Sequence, residues 1–231
     1  MSELFRFLEV RGENSERAYS FTLRSGEVRL LQLASKAEKD ALIDCAVGEA
    51  HCEAGRIEIM QGERRGDGNA PVPAQGDRRR RNGAAPVIWQ SIGQSQAGRV
   101  GWVGNGGLVS NLKVWENVTL PLWYHTHRDV AETERSVTHW LDMLGLAADE
   151  QADFMAAPPF RLEHWQRKQA GLLRGLVQMP RVLVVDAMVF EDVKARLVTR
   201  WITALETFAA QGRAVLVLTD KATMLPLQKI E

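Results

Sequence analysis

The chain is short of cysteine, of net charge and of long apolar runs. Two cysteines among 231 residues, Cys45 and Cys52 on either side of His51, make at most half of a zinc-ligand pattern and read as reduced, partly buried thiols. Lys and Arg number 29, and so do Asp and Glu. No global field therefore draws the chain to nucleic acid or to an anionic membrane, and such contact needs a local patch. No apolar run approaches the roughly 18–20 residues that cross a bilayer. The opening MSELFRFLEVRGE carries Glu3 and Glu9 and lacks an apolar segment with a cleavage site. The expectation is a cytosolic chain without a signal peptide. With 45% hydrophobic and 25% charged residues, disorder of the whole chain is excluded.

Periodicity supplies the elements. Leu4–Val10 and Tyr19–Arg24 alternate as strands, and Val28–Leu33 follows the turn Ser25-Gly26-Glu27. Ala37–Val47 reads as a helix and Arg56–Ile59 as a strand. Residues 62–86 are rich in Gly and Arg, including the run Arg78–Arg81, and read as a long surface loop. The run attracts phosphates, but no aromatic side chain interleaves with it, so base stacking and a nucleic-acid partner are unsupported. Short strands are expected at 87–92 and 99–103. A helical stretch over 114–146 is interrupted at Pro121, and Gly145 stops its clearest amphipathic part. Helices at 165–178 and 194–211 alternate with the all-apolar strands 181–186 and 214–219. Such strands separated by helices predict a parallel sheet covered on both faces, with an antiparallel β part beside it.

Local strings then point to a family. Ser20–Glu27, Gly55–Ile59, Gly106–Leu122 and Gln166–Asp186 occur in the order seen in the nucleotide-binding domain of ABC transporters, which the chain resembles over nearly its whole length. Gly106–Leu122 is similar to the region after the Q-loop in bacterial lipid-transport ATPases of the Mla/Mce type. The resemblance implies an α/β P-loop NTPase fold in one domain. Residues 1–103 and 180–231 would form the core with its antiparallel part, and residues 104–179 a helical sub-domain. The chain runs eleven residues past Asp220, where active relatives continue, so a reduced dimer-supporting part is expected.

The same comparison implies a degenerate site. A P-loop turns successive backbone N–H groups onto phosphates through glycines, adds a lysine, and holds magnesium with a hydroxyl. In the matching segment Leu33 and Glu38 occupy glycine positions, Lys36 a third position that is often glycine, Lys39 the lysine position, and Asp40 the hydroxyl position. A carboxylate such as Glu38 about 4 Å from a phosphate costs roughly 4 kcal/mol at an effective dielectric near 20. That is close to a thousandfold in affinity. Lys39 either offsets this charge or simply pairs with Glu38. Asp186 matches the Walker B aspartate, but Ala187 follows in place of the water-polarising glutamate. Asp220 stands for the switch histidine. At the signature, Glu163 replaces the serine, and His164 and Trp165 the glycines. No adenine-stacking aromatic is evident in Arg11–Arg17.

These losses imply no catalytic residues, no metal and no bound cofactor. Lys39, Asp40 and Asp186 remain as a vestigial nucleotide site that could take Mg-ATP only weakly. The string around the permease groove is better kept: Asn105, Leu108, Leu112, Trp115, Leu120 and Trp123. The expectation is a pseudo-ATPase subunit of a lipid-related bacterial ABC transporter. It would sit on the cytoplasmic face of the inner membrane, dock on a permease through its coupling helix, and brace or regulate it, with a second ATPase subunit as a further partner. Two alternatives stand beside it: a weak ATP-binding ATPase subunit, and a soluble regulator of another ATPase.

Overall fold

The computed structural model describes residues 2–13, 15–61, 88–92, 99–104, 107–125, 129–223 and 225–230. The expected loop 62–86 and Asn105 lie outside them. Four strands, β1 (Glu3–Arg11), β2 (Tyr19–Arg24), β4 (Ala54–Gln61) and β5 (Ile88–Ser91), form an antiparallel sheet in the order β2-β1-β4-β5. Alternation fixes its inner face. Phe5, Phe7 and Ile59 are fully buried, and Phe7 stacks on its cross-strand partner Phe21 at 4.3 Å between ring centroids. Gly55 is obligatory where β4 crosses an irregularity in β1. Its φ is +74°, and a Cβ there would lie 2.2 Å from the Glu9 carbonyl oxygen.

The second sheet is parallel. β6 (Val100–Val103), β7 (Val182–Asp186), β8 (Ala214–Thr219), β3 (Val28–Gln32) and β9 (Gln228–Lys229) lie in the order β6-β7-β8-β3-β9. The two-residue period explains why β7 and β8 are apolar throughout. Val182, Val184, Leu216 and Leu218 pack toward the antiparallel sheet and α1 (Lys36–Val47). Leu183, Val185, Val215 and Val217 pack toward the other helices.

Those helices are α2 (Val114–His125), α3 (Val130–Leu144), α4 (Ala148–Ala156), α5 (His164–Val177) and α6 (Ala195–Ala210). Trp140, Leu172, Trp201 and Phe208 share one core with the sheet. The carbonyl of Leu144 ties three of them together: it accepts from Gln169 Nε2 and from Trp201 Nε1, each at 3.2 Å. Gly145 ends α3 at φ +88°, as its position in the sequence predicts.

Three details differ from expectation. The helix α2 continues through Pro121 instead of breaking there. A proline inside a helix costs about 3 kcal/mol, whereas Val114, Val118 and Leu122 are all buried on one face, each worth about 1.5–3 kcal/mol. The helix α4 was not expected, because Phe154 is its one fully buried residue and gives no apolar stripe. The two-residue β9, exposed at both positions, carries no pattern at all.

Candidate functional site

Parallel register brings three strand ends to one edge. Gln32 lies beside Thr219 and Asp186 beside Leu218, so Leu33, Asp186 and Asp220 meet at the carboxyl ends of β3, β7 and β8. Open parallel sheets bind ligands at this edge. Here the connection from β3 into α1 is short, only Leu33, Ala34 and Ser35. Ser35 caps α1, its Oγ accepting from the Glu38 N–H at 3.2 Å. Leu33 is buried in the core beneath the antiparallel sheet.

Glu38 turns back into the protein. Its Oε1 accepts from Ser15 Oγ at 2.6 Å and from Tyr19 Oη at 3.0 Å, and its Oε2 accepts the Ala34 N–H at 2.8 Å. Burial alone would raise this carboxyl. The hydrogen bonds from Ser15, Ala34 and Tyr19 outweigh that and hold it below its ordinary value. Tyr19 is pushed up to about 12 by burial and by its hydrogen bond to Glu38.

Lys39 points elsewhere. Successive helical side chains do not face each other, and Lys39 does not pair with Glu38, contrary to one reading of the sequence. Its Nζ lies 2.8 Å from Asp220 Oδ1 and 3.1 Å from Asp186 Oδ1, and the side chain is 0% exposed. Burial works against its charge, but the bonds and charges of Asp220 and Asp186 win and hold the ammonium above its ordinary value. Asp220 is lowered, chiefly by the hydrogen bond from Lys39. Asp186 Oδ1 also accepts the Met188 N–H at 3.0 Å. Ala187 is buried in the single turn that follows β7.

The expected vestigial site is therefore only partly assembled. Lys39 and Asp186 meet, Asp220 joins them, and Asp40 stays exposed on α1 with no ion pair to Lys39. As arranged, these residues engage one another. Two of the three Lys39 protons are engaged by Asp186 and Asp220, and the Ala34 N–H is taken by Glu38. Among the described residues no group of three or more His, Cys, Asp or Glu is placed to hold a metal ion.

The second station lies at the start of α5. Glu163 is exposed, its Oε2 accepts from Trp165 Nε1 at 2.5 Å, and its N–H donates to Gln166 Oε1 at 2.9 Å. His164 is exposed beside it.

Among solved structures, an ATP-binding subunit of an ABC transporter superposes with a TM-score of 0.70 at 14% identity, covering 94% of this chain and 79% of that one. The fold is that of an ABC-transporter ATP-binding subunit. A dimeric ATP-binding cassette in a post-hydrolysis state, bound to ADP and Pi, gives 0.67 at 15% identity, with 94% and 88% covered. The cbiO1 protein from Clostridium perfringens, part of the ABC transporter complex cbiONQ, gives 0.65 at 17%, with 96% and 80% covered. In sequence, 82 residues are 30% identical to the probable ribonucleotide transport ATP-binding protein mkl of Mycobacterium leprae, 36% of this chain and 22% of that protein. The Mycobacterium tuberculosis mkl matches at the same identity over 21% of its length. The matched segment is thus about a fifth of these relatives. No protein-family model matches the chain.

On this ABC fold the expected groove residues separate. Trp123 is 59% exposed. Trp115 and Leu108 are half-buried and pack on the helical core, and Leu112 and Leu120 are half-buried. Of the five described ones, Leu108 alone lines a cleft of about 440 Å³ with Ser110, Phe160, His164, Arg167 and Lys168. Phe160, 71% exposed, was missed because a lone aromatic after two prolines gives no periodic signal. Ser15 and Tyr19 were missed as well. The signal was present: an acid in the first turn of a buried helix demands nearby donors.

Proposed function

We propose that this chain is a non-catalytic subunit of a bacterial ABC transporter, one that keeps the ATP-binding-cassette fold and uses it to dock on a permease and brace or regulate it. The observation that carries the reading is Lys39, buried between Asp186 and Asp220. The cation that would meet a polyphosphate already has two anionic partners. Breaking such a buried cluster costs about 3–5 kcal/mol, which a nucleotide would have to offset before any net binding. Ala187 adds that no carboxylate follows Asp186 to orient an attacking water. The competing reading, an ATP-binding subunit, draws on Lys39 and Asp186 at their expected positions and on the intact fold.

The docking face is the cleft between residues 107–112 and the start of α5. Phe160 stands exposed there, as apolar residues at interfaces do. Among the described residues no helix is long and apolar enough to cross a membrane, so attachment at the cytoplasmic face of the inner membrane would run through the permease. The string Gly106–Leu122 supports a lipid-related cargo. The mycobacterial relative is named for ribonucleotide transport, which supports transport and points to a different cargo. A second ATPase subunit is a further proposed partner.

Equilibrium binding of labelled ATP to the purified chain, with and without magnesium, tests the first part. No saturable binding at millimolar ATP is expected, and saturable magnesium-dependent binding would overturn the proposal. Cell fractionation tests the second. The chain should sediment with membranes, and Phe160→Glu should release it.

A further inference from the structure

The cleft at the start of α5 has two unlike walls. Residues 107–112 form the first and are held from behind. Asn117, 2% exposed, accepts the Val109 N–H at 2.6 Å and donates to the carbonyls of Val109 at 3.1 Å and Leu112 at 3.0 Å. Arg174 donates to the Gly107 carbonyl. Phe160 lines the cleft directly after Pro158 and Pro159, whose fixed φ angles restrict the chain there. The second wall is basic. His164, Arg167 and Lys168 lie at i, i+3 and i+4 on one face of α5, and all three line the cleft. Among the described residues no acid lines it. Glu163 lines a different cleft and is engaged by Trp165.

These cations lack anionic partners. Lys168 is 4% exposed, yet its Nζ donates to a neutral acceptor, the Glu191 backbone carbonyl, at 2.5 Å. The Glu191 carboxylate pairs with Lys221 instead, at 2.9 Å. Burial lowers the Lys168 ammonium, against the raising charges of Asp192 and Glu191. Among the described residues neither Arg167 nor Lys168 has a carboxylate within ion-pair distance. Cations in the first turns of a helix also face the positive end of its dipole.

We propose that the permease segment docking in this cleft is a short apolar stretch that carries an Asp or Glu, its carboxylate set against His164, Arg167 and Lys168 and its apolar side chains against Phe160 and Leu108. This rests on the docking reading given above and adds the chemistry of the partner. The incoming carboxylate supplies the buried ammonium with the counter-charge that the chain itself does not place there. The Ser110 hydroxyl on the first wall is a further donor. A flat anionic bilayer fits less well, because the chain has no net charge and Lys168 is recessed.

The test treats membranes from cells making the full chain with a water-soluble carbodiimide, which joins an amine to a carboxylate in contact with it. Arg167→Lys keeps the charge and places a reactive amine at an exposed position of the cleft. The expected product is a link from position 167 or from Lys168 to an Asp or Glu in a cytoplasmic segment of an integral membrane protein, read by peptide mapping. A synthetic peptide of that segment should bind the purified chain, and changing its acid to the amide should weaken binding by about tenfold or more. Arg167→Glu should cut the membrane-bound fraction by about tenfold with an unchanged urea midpoint, and His164→Glu, at a second exposed position, should do the same. If the chain does not sediment with membranes, or stays there in Phe160→Glu, the docking reading fails and the acidic partner falls with it. If Phe160→Glu releases the chain while both charge reversals leave it bound and no link forms at 167 or 168, docking stands and the acidic partner is overturned. Uptake by protein-free phosphatidylglycerol vesicles that is lost in Arg167→Glu would assign the cleft to lipid phosphate and overturn it as well.

Discussion

Two helix N-termini in this molecule carry a glutamate where the ABC resemblance expects a phosphate-facing residue, and they handle it differently. At α1 the carboxylate of Glu38 is buried and accepts three hydrogen bonds, and its neighbour Lys39 is sealed between two aspartates. At α5 the carboxylate of Glu163 stands at the surface, where it accepts from Trp165 Nε1 and joins Gln166 in a capping box at the helix start. The residue type is the same; the surroundings set its worth. A buried charge must be fully partnered or it destabilises the fold, whereas an exposed one is hydrated and contributes little. The first glutamate has become part of the architecture. The second remains a surface feature beside a cleft.

The sharpest way to break this contrast is at Lys39. Lys39→Ala leaves Asp186 and Asp220 without their cation and should cost about 3–5 kcal/mol in urea unfolding. Replacing the cluster together (Lys39→Met, Asp186→Asn, Asp220→Asn) should recover much of that loss, because no charge is then stranded. If Lys39→Ala alone is neutral, the cluster is not a structural lock.

Glu38→Gln comes next. It weakens the charge-assisted bonds from Ser15 and Tyr19 and should cost about 1–3 kcal/mol. Ultraviolet titration should show the Tyr19 phenol falling from about 12 toward its ordinary value. A Tyr19 titration that does not move would separate the two groups.

Acid should act on the buried station first. Glu38 and Asp220 are both held below their unfolded values. The unfolded chain therefore binds protons before the folded one does. Their stabilisation is present above the unfolded carboxylate pKa and is lost as pH falls through the lowered folded values. Lys39 is raised, so its share is present at neutral pH and is lost only as pH rises through its folded value. A urea midpoint that holds through neutrality and drops in acid is expected; Glu38→Gln should flatten the acid limb.

Glu163→Ala should cost no more than about 1 kcal/mol, the surface counterpart of the first experiment. Phe160→Ser should change stability by less than about 0.5 kcal/mol. If either matches Lys39→Ala, the distinction between the two helix starts fails.

Much of the fold was legible in the residues. Val182–Asp186 and Ala214–Thr219 are apolar on both faces, and that pattern has one common solution, a covered parallel strand. Asp186, Lys39 and Glu38 stood out in the sequence, and the fold brings the first two together. Their other partners were not legible. Nothing local to Asp220 says that its carboxylate closes on Lys39, 181 residues away, and nothing near Ser15 says that it serves Glu38. Pro121 argued for a break that the buried face of α2 overrode, and α4, with a single buried residue, left no stripe to read.

By itself, then, the amino-acid order determined most of the elements, the two kinds of sheet and the positions at which phosphate chemistry would be expected, because periodicity and short motifs act over a few neighbouring residues. Only the tertiary structure decided that Glu38 faces inward to Ser15 and Tyr19 while Lys39 faces Asp186 and Asp220. That choice depends on parallel register across β3, β8 and β7 and on the angle between adjacent side chains of α1. Neither exists until distant strands have packed.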